Sequence, residues 1–170
     1  MNIVLIGMRG SGKTTIGKVL AERLSRSFIE TDREIERKTG RSISDFVKTN
    51  GWTSFRDVEE QVVKDIAYLD NLVIATGGGI VERSNNIKQF KDKGILVWLV
   101  ANLTTYVKRI KSGRKRPFLT DAKKHSEDIR KTLETRKKLY TQASDVIVNT
   151  EDKTVNNTVY EIIESVKNYD

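Results

Sequence analysis

The chain has 170 residues, of which 37% are hydrophobic and 32% charged, with a formal net charge of +8 and no cysteine. This length and balance suit one compact globular domain and exclude a disordered chain. The lack of cysteine excludes disulfides and thiolate metal sites, and no apolar run approaches the roughly 20 residues that span a bilayer. We therefore expect a cytoplasmic protein with no membrane partner and no signal peptide.

The net positive charge has two interpretations. A basic chain can bind nucleic acid through its phosphates, or it can hold small anions such as ATP and a carboxylate. The basic side chains concentrate in 108–116 and 123–138, without the aromatic motif that is typical of RNA-binding domains. We therefore predict small anionic ligands and no nucleic acid, while surface solvation accounts for many of the lysines.

The first predicted strand, near 2–6, leads into the sequence GMRGSGKT at 7–14 and a helix over 13–25. A strand, a glycine-rich turn ending in Gly-Lys-Thr and a helix are the context of a P-loop, in which backbone N–H groups surround phosphate. Lys13 can then reach the β- and γ-phosphates, and the Thr14 hydroxyl can bind Mg²⁺. The alternative is an ordinary glycine-rich loop that caps a helix, but such loops rarely carry this spacing.

The second predicted strand, near 27–30, ends in Glu30-Thr31-Asp32 and is followed by helices over 32–39, 42–49 and 53–69. Two carboxylates at this strand end can hold hydrated Mg²⁺ and accept a proton from an attacking hydroxyl. Alternatively, Asp32 is the N-cap of its helix, and the two interpretations carry similar weight. Arg56 and Glu59 share a helix face, which fits either a surface salt bridge or an arginine that holds a carboxylate.

The third predicted strand, near 72–75, precedes Gly77, Gly78 and Gly79. Three consecutive glycines after a buried strand are entropically costly, so they predict a close approach of the backbone to a ligand. The later elements are helices near 84–92, 103–111, 124–142 and 154–168, and strands near 95–100 and 145–148. Short apolar strands that alternate with helices predict an α/β fold, with three layers around a parallel sheet and ligands at the carboxyl ends of its strands.

We predict a single domain over 1–170 with two insertions. The first, about 31–61, places several helices between the second and third strands. The second, 112–123, interrupts the helical pattern with Gly113 and the only proline, Pro117. A basic loop beside a phosphate site fits a mobile lid, although a solvated connection is the alternative.

Taken together, these motifs resemble those of shikimate kinases over nearly the whole chain. The matching motifs are GMRGSGKT, ETD at 30–32, RKTGRSISDF at 37–46, SFRDVEE at 54–60, ATGGG at 75–79, RPFL at 116–119 and ETRKKLY at 134–140. The combination is far more specific than the P-loop alone. The resemblance implies a P-loop kinase fold with a five-stranded parallel sheet in the order 2-3-1-4-5. It also implies transfer of the ATP γ-phosphoryl group to the 3-hydroxyl of shikimate, in aromatic amino acid biosynthesis.

The resemblance implies a role for each matching residue. The expected catalytic residues are Lys13, Asp32 as the base, and the lid residue Arg116. The expected contacts with ATP are Gly10, Ser11, Gly12, Lys13, Thr14, Thr15, Arg109 and Lys153. Those with shikimate are Asp32, Arg56, Gly77, Gly78, Gly79 and Arg136. Magnesium is expected on Thr14 and, through water, on Glu30 and Asp32. The residues that would shape the substrate pocket are Ile43, Phe55, Glu59 and Pro117. We expect a monomer.

Two positions depart from the family pattern. Where the family usually has Asp-x-Asp, this chain has Glu30 and Asp32, so the first carboxylate is one methylene longer. A water layer between that carboxylate and the metal would absorb the difference. Trp52 precedes the SFR segment where a smaller or polar residue is expected, and the sequence assigns it no function.

Overall fold

A five-stranded sheet forms the centre of the molecule. The computed structural model describes residues 1–111, 119–120 and 124–169. The strands are β1 (Asn2–Ile6), β2 (Ser27–Glu30), β3 (Leu72–Ala75), β4 (Gly94–Val100) and β5 (Val146–Asn149). Their order is β2-β3-β1-β4-β5 and every pairing is parallel. The predicted α/β class and strand order are therefore confirmed.

The described helices follow the predicted alternation. They are α1 (Lys13–Arg23), α2 (Thr31–Thr39), α3 (Ile43–Ala67), α4 (Ser84–Lys91), α5 (Leu103–Lys111), α6 (His125–Ala143) and α7 (Val155–Val166). The helices predicted over 42–49 and 53–69 both fall on α3, which is interrupted between them where Gly51 adopts the non-helical φ 80° and ψ 169°. A 3₁₀ turn over Ile80–Glu82 follows the three glycines. None of the helices in these described ranges is both long and apolar enough to cross a membrane.

The central strand explains the three layers. All five residues of β1 are buried, and their side chains alternate between the two faces of the sheet. Val4 and Ile6 belong to the core that includes buried residues of α3 and α6, whereas Ile3 and Leu5 belong to the core shared with α1 and α7. Because helices cover both faces, the inner strands β3 and β4 are apolar runs rather than alternating ones.

The sheet has one edge where the carboxyl ends of its parallel strands lie and an opposite edge where their amino ends lie. Different segments of the chain lie at these two edges. The carboxyl ends of β1, β2 and β3 lead into the P-loop, the Glu30–Asp32 segment and the three glycines. At the opposite edge, the Met1 amino group pairs with Asp70 at 2.7 Å, and the Tyr169 hydroxyl donates to the Asp145 carbonyl at 3.2 Å. The sheet therefore gathers the predicted ligand-binding segments at one edge, and Met1 and Tyr169 lie at the other.

Candidate active site

The P-loop backbone encloses the side chain of Lys13. Gly7, Gly10 and Gly12 all have positive φ, at 139°, 80° and 95°, which glycine adopts without steric cost. Lys13 begins α1, and its Nζ donates to the carbonyls of Gly7 at 2.8 Å and Met8 at 2.9 Å. The ammonium group is thus buried across the loop, where phosphate oxygens would attract it.

The predicted nucleotide contacts are only partly brought together. Arg109 of α5 donates to the hydroxyl and the carbonyl of Thr150, at 3.0 Å and 3.1 Å, and so spans the turn after β5. Its guanidinium also reaches the Gly10 carbonyl of the P-loop, at 3.5 Å. Lys153, on the same turn, pairs instead with Glu161 of α7, and Thr15 is exposed on α1. Arg109 therefore lies beside the P-loop, whereas the Lys153 side chain points toward α7, where it pairs with Glu161.

The Thr14 hydroxyl and the Glu30 carboxylate form one cluster of oxygen ligands. Thr14 Oγ1 donates to Glu30 Oε1, and Glu30 Oε2 forms an ion pair with Arg33, 3.0 Å from its Nε. Mg²⁺ prefers oxygen ligands and is usually held by one or two carboxylates together with substrate phosphates. The described residues contain no group of three or more His, Cys, Asp or Glu that could hold a metal ion by itself. The donor set thus fits a magnesium ion shared with ATP.

Asp32 is not a helix cap. Helix α2 begins at Thr31 with Glu30 as its N-cap residue, so Asp32 lies inside the first turn. The Thr31 hydroxyl accepts from the Gly77 N–H at 2.9 Å, which ties the start of α2 to the glycine turn. A Cβ atom on Gly77 would lie 2.8 Å from Asp32 Oδ1 and 3.0 Å from Glu59 Oε1. The missing side chain leaves room for both carboxylates.

Arg56 of α3 and Arg136 of α6 meet at the other side of the glycine turn. Both are buried, with exposed fractions of 9% and 5%. Arg56 Nη1 donates to Glu59 Oε2 at 2.8 Å. A Cβ atom on Gly79 would lie 1.8 Å from Arg56 Nη2, so only glycine admits this guanidinium. Arg56 and Glu59 are therefore a buried pair, and the alternative of a surface salt bridge is wrong.

The Arg56 guanidinium lies over the aromatic rings of Trp52 and Phe55. The guanidinium carbon lies 5.6 Å from the Trp52 ring centroid and 5.2 Å from that of Phe55. The two rings meet edge to face at 5.5 Å. The two distances from the guanidinium carbon to the ring centroids fall within the range of cation–π attraction. The tryptophan that had no predicted function thus lies against a predicted ligand-binding arginine.

Glu59 is a fully buried carboxylate with one unpaired oxygen. Its exposed fraction is 0%, and Oε1 has no hydrogen-bond partner among the described residues. Burial raises the pKa of Glu59 to about 7, although the neighbouring Arg56 lowers it. Because burial disfavours the charged form, this carboxyl binds a proton far more readily than an exposed glutamate.

These side chains surround one pocket that is partly open to solvent, with about 460 Å³ of space in the pocket and its mouth together. Its lining residues are Arg9, Asp32, Ile43, Trp52, Phe55, Arg56, Glu59, Gly77, Gly78, Gly79, Leu119 and Arg136. The predicted residues Ile43, Phe55 and Glu59 are among them, whereas Arg9, Trp52 and Leu119 were not predicted. Arg116 and Pro117 lie outside the described residues. Three arginines, two acidic residues and the nearby P-loop make the pocket suited to a small anionic acceptor of a phosphoryl group.

Several known proteins with similar sequences and structures are shikimate kinases. The family model for shikimate kinase matches residues 9–167. A shikimate kinase from Persephonella marina is 39% identical over 166 residues, covering 98% of this chain and 99% of that protein. A structure of shikimate kinase from Acinetobacter baumannii in complex with shikimate has a TM-score of 0.93 and 32% identity, covering 99% of this chain and 93% of that one. The shikimate kinase structure from Aquifex aeolicus has a TM-score of 0.84 and 32% identity, covering 98% and 96%.

Proposed function

The chain belongs to the shikimate kinase family, and from that premise we propose how its own residues carry out the reaction. It transfers the γ-phosphoryl group of ATP to the 3-hydroxyl of shikimate, which gives shikimate 3-phosphate and ADP in aromatic amino acid biosynthesis. The observation that carries the proposal is the pocket itself. Arg56 and Arg136 reach it from α3 and α6, and it is also lined by Asp32, which lies close to Thr14 and Glu30.

Arg56 and Arg136 bind the carboxylate of the acceptor, and the backbone of Gly77, Gly78 and Gly79 lies against its ring. A carboxylate between two guanidinium groups is held by charge-assisted hydrogen bonds and has one orientation. This orientation directs a ring hydroxyl toward Asp32, which accepts its proton as the hydroxyl attacks. The predicted insertion over 31–61 supplies Asp32 and Arg56.

The P-loop holds ATP for the transfer. Backbone N–H groups of Gly10, Ser11 and Gly12 bind the phosphates, Thr14 and Thr15 follow at the start of α1, and Lys13 neutralises charge on the transferring group. Arg109 lies on the adenine side, and Lys153 would join it there by exchanging its contact with Glu161. Mg²⁺, held by Thr14 and through water by Glu30 and Asp32, would neutralise the phosphate oxygens. Arg116, outside the described residues, would meet the transferring phosphate from a lid over 112–123.

We propose that the chain acts as a monomer in the cytoplasm, without nucleic acid or membrane partners. Gel filtration of the purified protein at several concentrations tests the monomer. A mass that doubles at micromolar concentration would contradict it.

The decisive experiment measures ADP release with and without shikimate at fixed ATP and Mg²⁺. We expect ADP release to depend on shikimate and a phosphorylated product to appear in the mass spectrum. A sugar acid and a nucleoside monophosphate serve as matched acceptors, since small-molecule kinases with other acceptors are the rival assignment. Equal turnover with either of these acceptors, or none with shikimate, would overturn the proposal.

A further inference from the structure

Glu82 joins the two buried arginines of the pocket. It is the last residue of the 3₁₀ turn after the three glycines. Its Oε2 accepts from Arg56 Nε at 2.9 Å, and its Oε1 accepts from Arg136 Nε at 2.7 Å and pairs with Arg136 Nη2. One carboxylate thus bridges guanidinium groups that belong to two different helices, α3 and α6. No sequence motif pointed to this residue.

One terminal nitrogen of each arginine lies beside the glycines. Arg56 uses Nε for Glu82 and Nη1 for Glu59, and its Nη2 lies against Gly79. Arg136 Nη1 lies 3.6 Å from the position that a Cβ atom on Gly78 would occupy. The bonds to Glu82 therefore fix the Nε sides of the two groups and direct one terminal nitrogen of each toward the glycine turn.

Glu82 contacts the arginines from outside the pocket. The described residues that line the pocket include both arginines but not Glu82, and the Glu82 side chain is 37% exposed. A carboxylate in this place does not occupy the space that a bound acceptor needs. It also reduces the repulsion between two cations that would otherwise face each other in a buried site.

We propose that Glu82 is a positioning residue for recognition of the acceptor's carboxylate. It holds the Arg56 and Arg136 guanidinium groups at a fixed spacing, so that their glycine-facing N–H groups receive the carboxylate without rearrangement. Preorganisation of this kind increases affinity by reducing the entropy that binding costs. Arg136 depends on it more, because Arg56 is also held by Glu59 and two aromatic rings. The inference rests on the proposed function and deepens it.

The test compares Glu82→Gln and Glu82→Ala with the parent enzyme. Removing an aid to binding that acts equally on ground state and transition state raises KM and leaves kcat unchanged. We expect the KM for shikimate to rise about tenfold, while kcat and the KM for ATP stay within about twofold. Glu60→Gln is the matched control, because Glu60 pairs with Arg83 and Asn85 and with neither pocket arginine.

Each outcome decides the inference. An unchanged or lower KM for shikimate in folded Glu82→Gln would overturn it, and a lower KM would mean that Glu82 competes with the acceptor. Equal losses in kcat and in affinity for both substrates would indicate a merely structural residue. If Glu82→Ala does not fold, Glu82→Gln, which keeps the side-chain length, carries the test. A parent enzyme that ignores shikimate would overturn the proposed function, whereas an active parent with unchanged variants overturns only the role of Glu82.

Discussion

Asp32 and Glu30 are two carboxylates, two residues apart, with different surroundings. Glu30 is bound to the Thr14 hydroxyl and to Arg33, whereas Asp32 lines the acceptor pocket beside Gly77. A base must lie within hydrogen-bond reach of the proton that it accepts, while a water-mediated metal contact tolerates a change of side-chain length. The two positions should therefore respond differently to conservative substitution.

We predict that Asp32→Asn lowers kcat by about 100-fold or more and changes the affinity for shikimate much less, because Arg56 and Arg136 still bind the carboxylate. Glu30→Asp should keep most of its activity. Steady-state kinetics measure both effects, with circular dichroism as the control for folding. Near-normal turnover in folded Asp32→Asn would remove Asp32 from the role of base.

Glu59 makes the stability of the fold depend on pH. Its pKa is raised to about 7 from an ordinary value of 4.5, so the folded state binds this proton more tightly than the unfolded state. The stability that it contributes is present below about pH 4.5 and is lost as the pH rises toward 7. In Glu59→Gln this dependence is absent.

We expect the free energy of unfolding of the parent protein to fall relative to Glu59→Gln by about 2–3 kcal/mol between about pH 5 and pH 8. Urea unfolding of both proteins at several pH values measures the difference, and subtracting the variant removes the titration of every other group. A parallel pH dependence in the two proteins would show that Arg56 keeps Glu59 ionised across the whole range.

At the scale of elements, the glycine turn contacts both the residue proposed to bind the acceptor and the residue proposed as the base. Gly79 lies against Arg56, and Gly77 lies against Asp32 and Glu59. We predict that Gly79→Ala displaces Arg56 and raises the KM for shikimate about tenfold. Gly77→Ala should act mainly on kcat, because its methyl group displaces the base. Steady-state kinetics measure kcat and KM for both variants, and each variant is the control for the other. An equal rise in the KM for shikimate in both would contradict the different roles of Gly77 and Gly79.

The first turn of α6 connects the P-loop with residues 119–120. The buried Asp128 accepts from the backbone N–H groups of Leu119 and Thr120 at 3.0 Å and 2.8 Å, and from Arg9 Nη2 at 3.0 Å. Asp128→Ala leaves these donors without this acceptor, and we expect a loss of about 3–5 kcal/mol in the free energy of unfolding. Glu127→Gln, one residue earlier and half-buried, is the control and should change it by less than about 1 kcal/mol. If Asp128→Ala and the parent protein had equal melting temperatures in thermal unfolding, the contacts of Asp128 would not stabilise the fold.

The elements were predictable where a local pattern determines them. Apolar runs between helices gave the strands, and Gly7 to Thr14 gave the P-loop, whereas the strand order came with the family resemblance. The break at Gly51 was predictable because glycine commonly ends a helix, and its φ of 80° and ψ of 169° interrupt α3 there. The roles of Trp52 and Glu82 were missed because they depend on where α3, α6 and the glycine turn meet in space. No periodicity along the chain encodes a bridge between Arg56 and Arg136.

At the scale of the whole molecule, transfer must exclude water from two bound anions. We proposed a lid over 112–123, which includes Arg116. Amide hydrogen exchange in this segment should slow when an unreactive ATP analogue and shikimate are both bound, and should change less with either one alone. The helix α7, on the other side of the sheet from α6, is the internal reference. Unchanged exchange over 112–123, with α3 and α6 clearly protected, would indicate a passive connection.

The separation of the two sheet edges has a practical consequence. Tyr68 ends α3 at the edge near Met1 and Tyr169, with an exposed fraction of 65%, and the pocket opens at the other edge. Since the chain has no cysteine, Tyr68→Cys would give it a single reactive thiol. Molecules grafted through that thiol onto a gold or maleimide-coated support would all stand the same way up, with their substrate entrances turned to the bulk solution. Such a layer should retain more of its turnover per molecule than one attached at random through its many surface lysines.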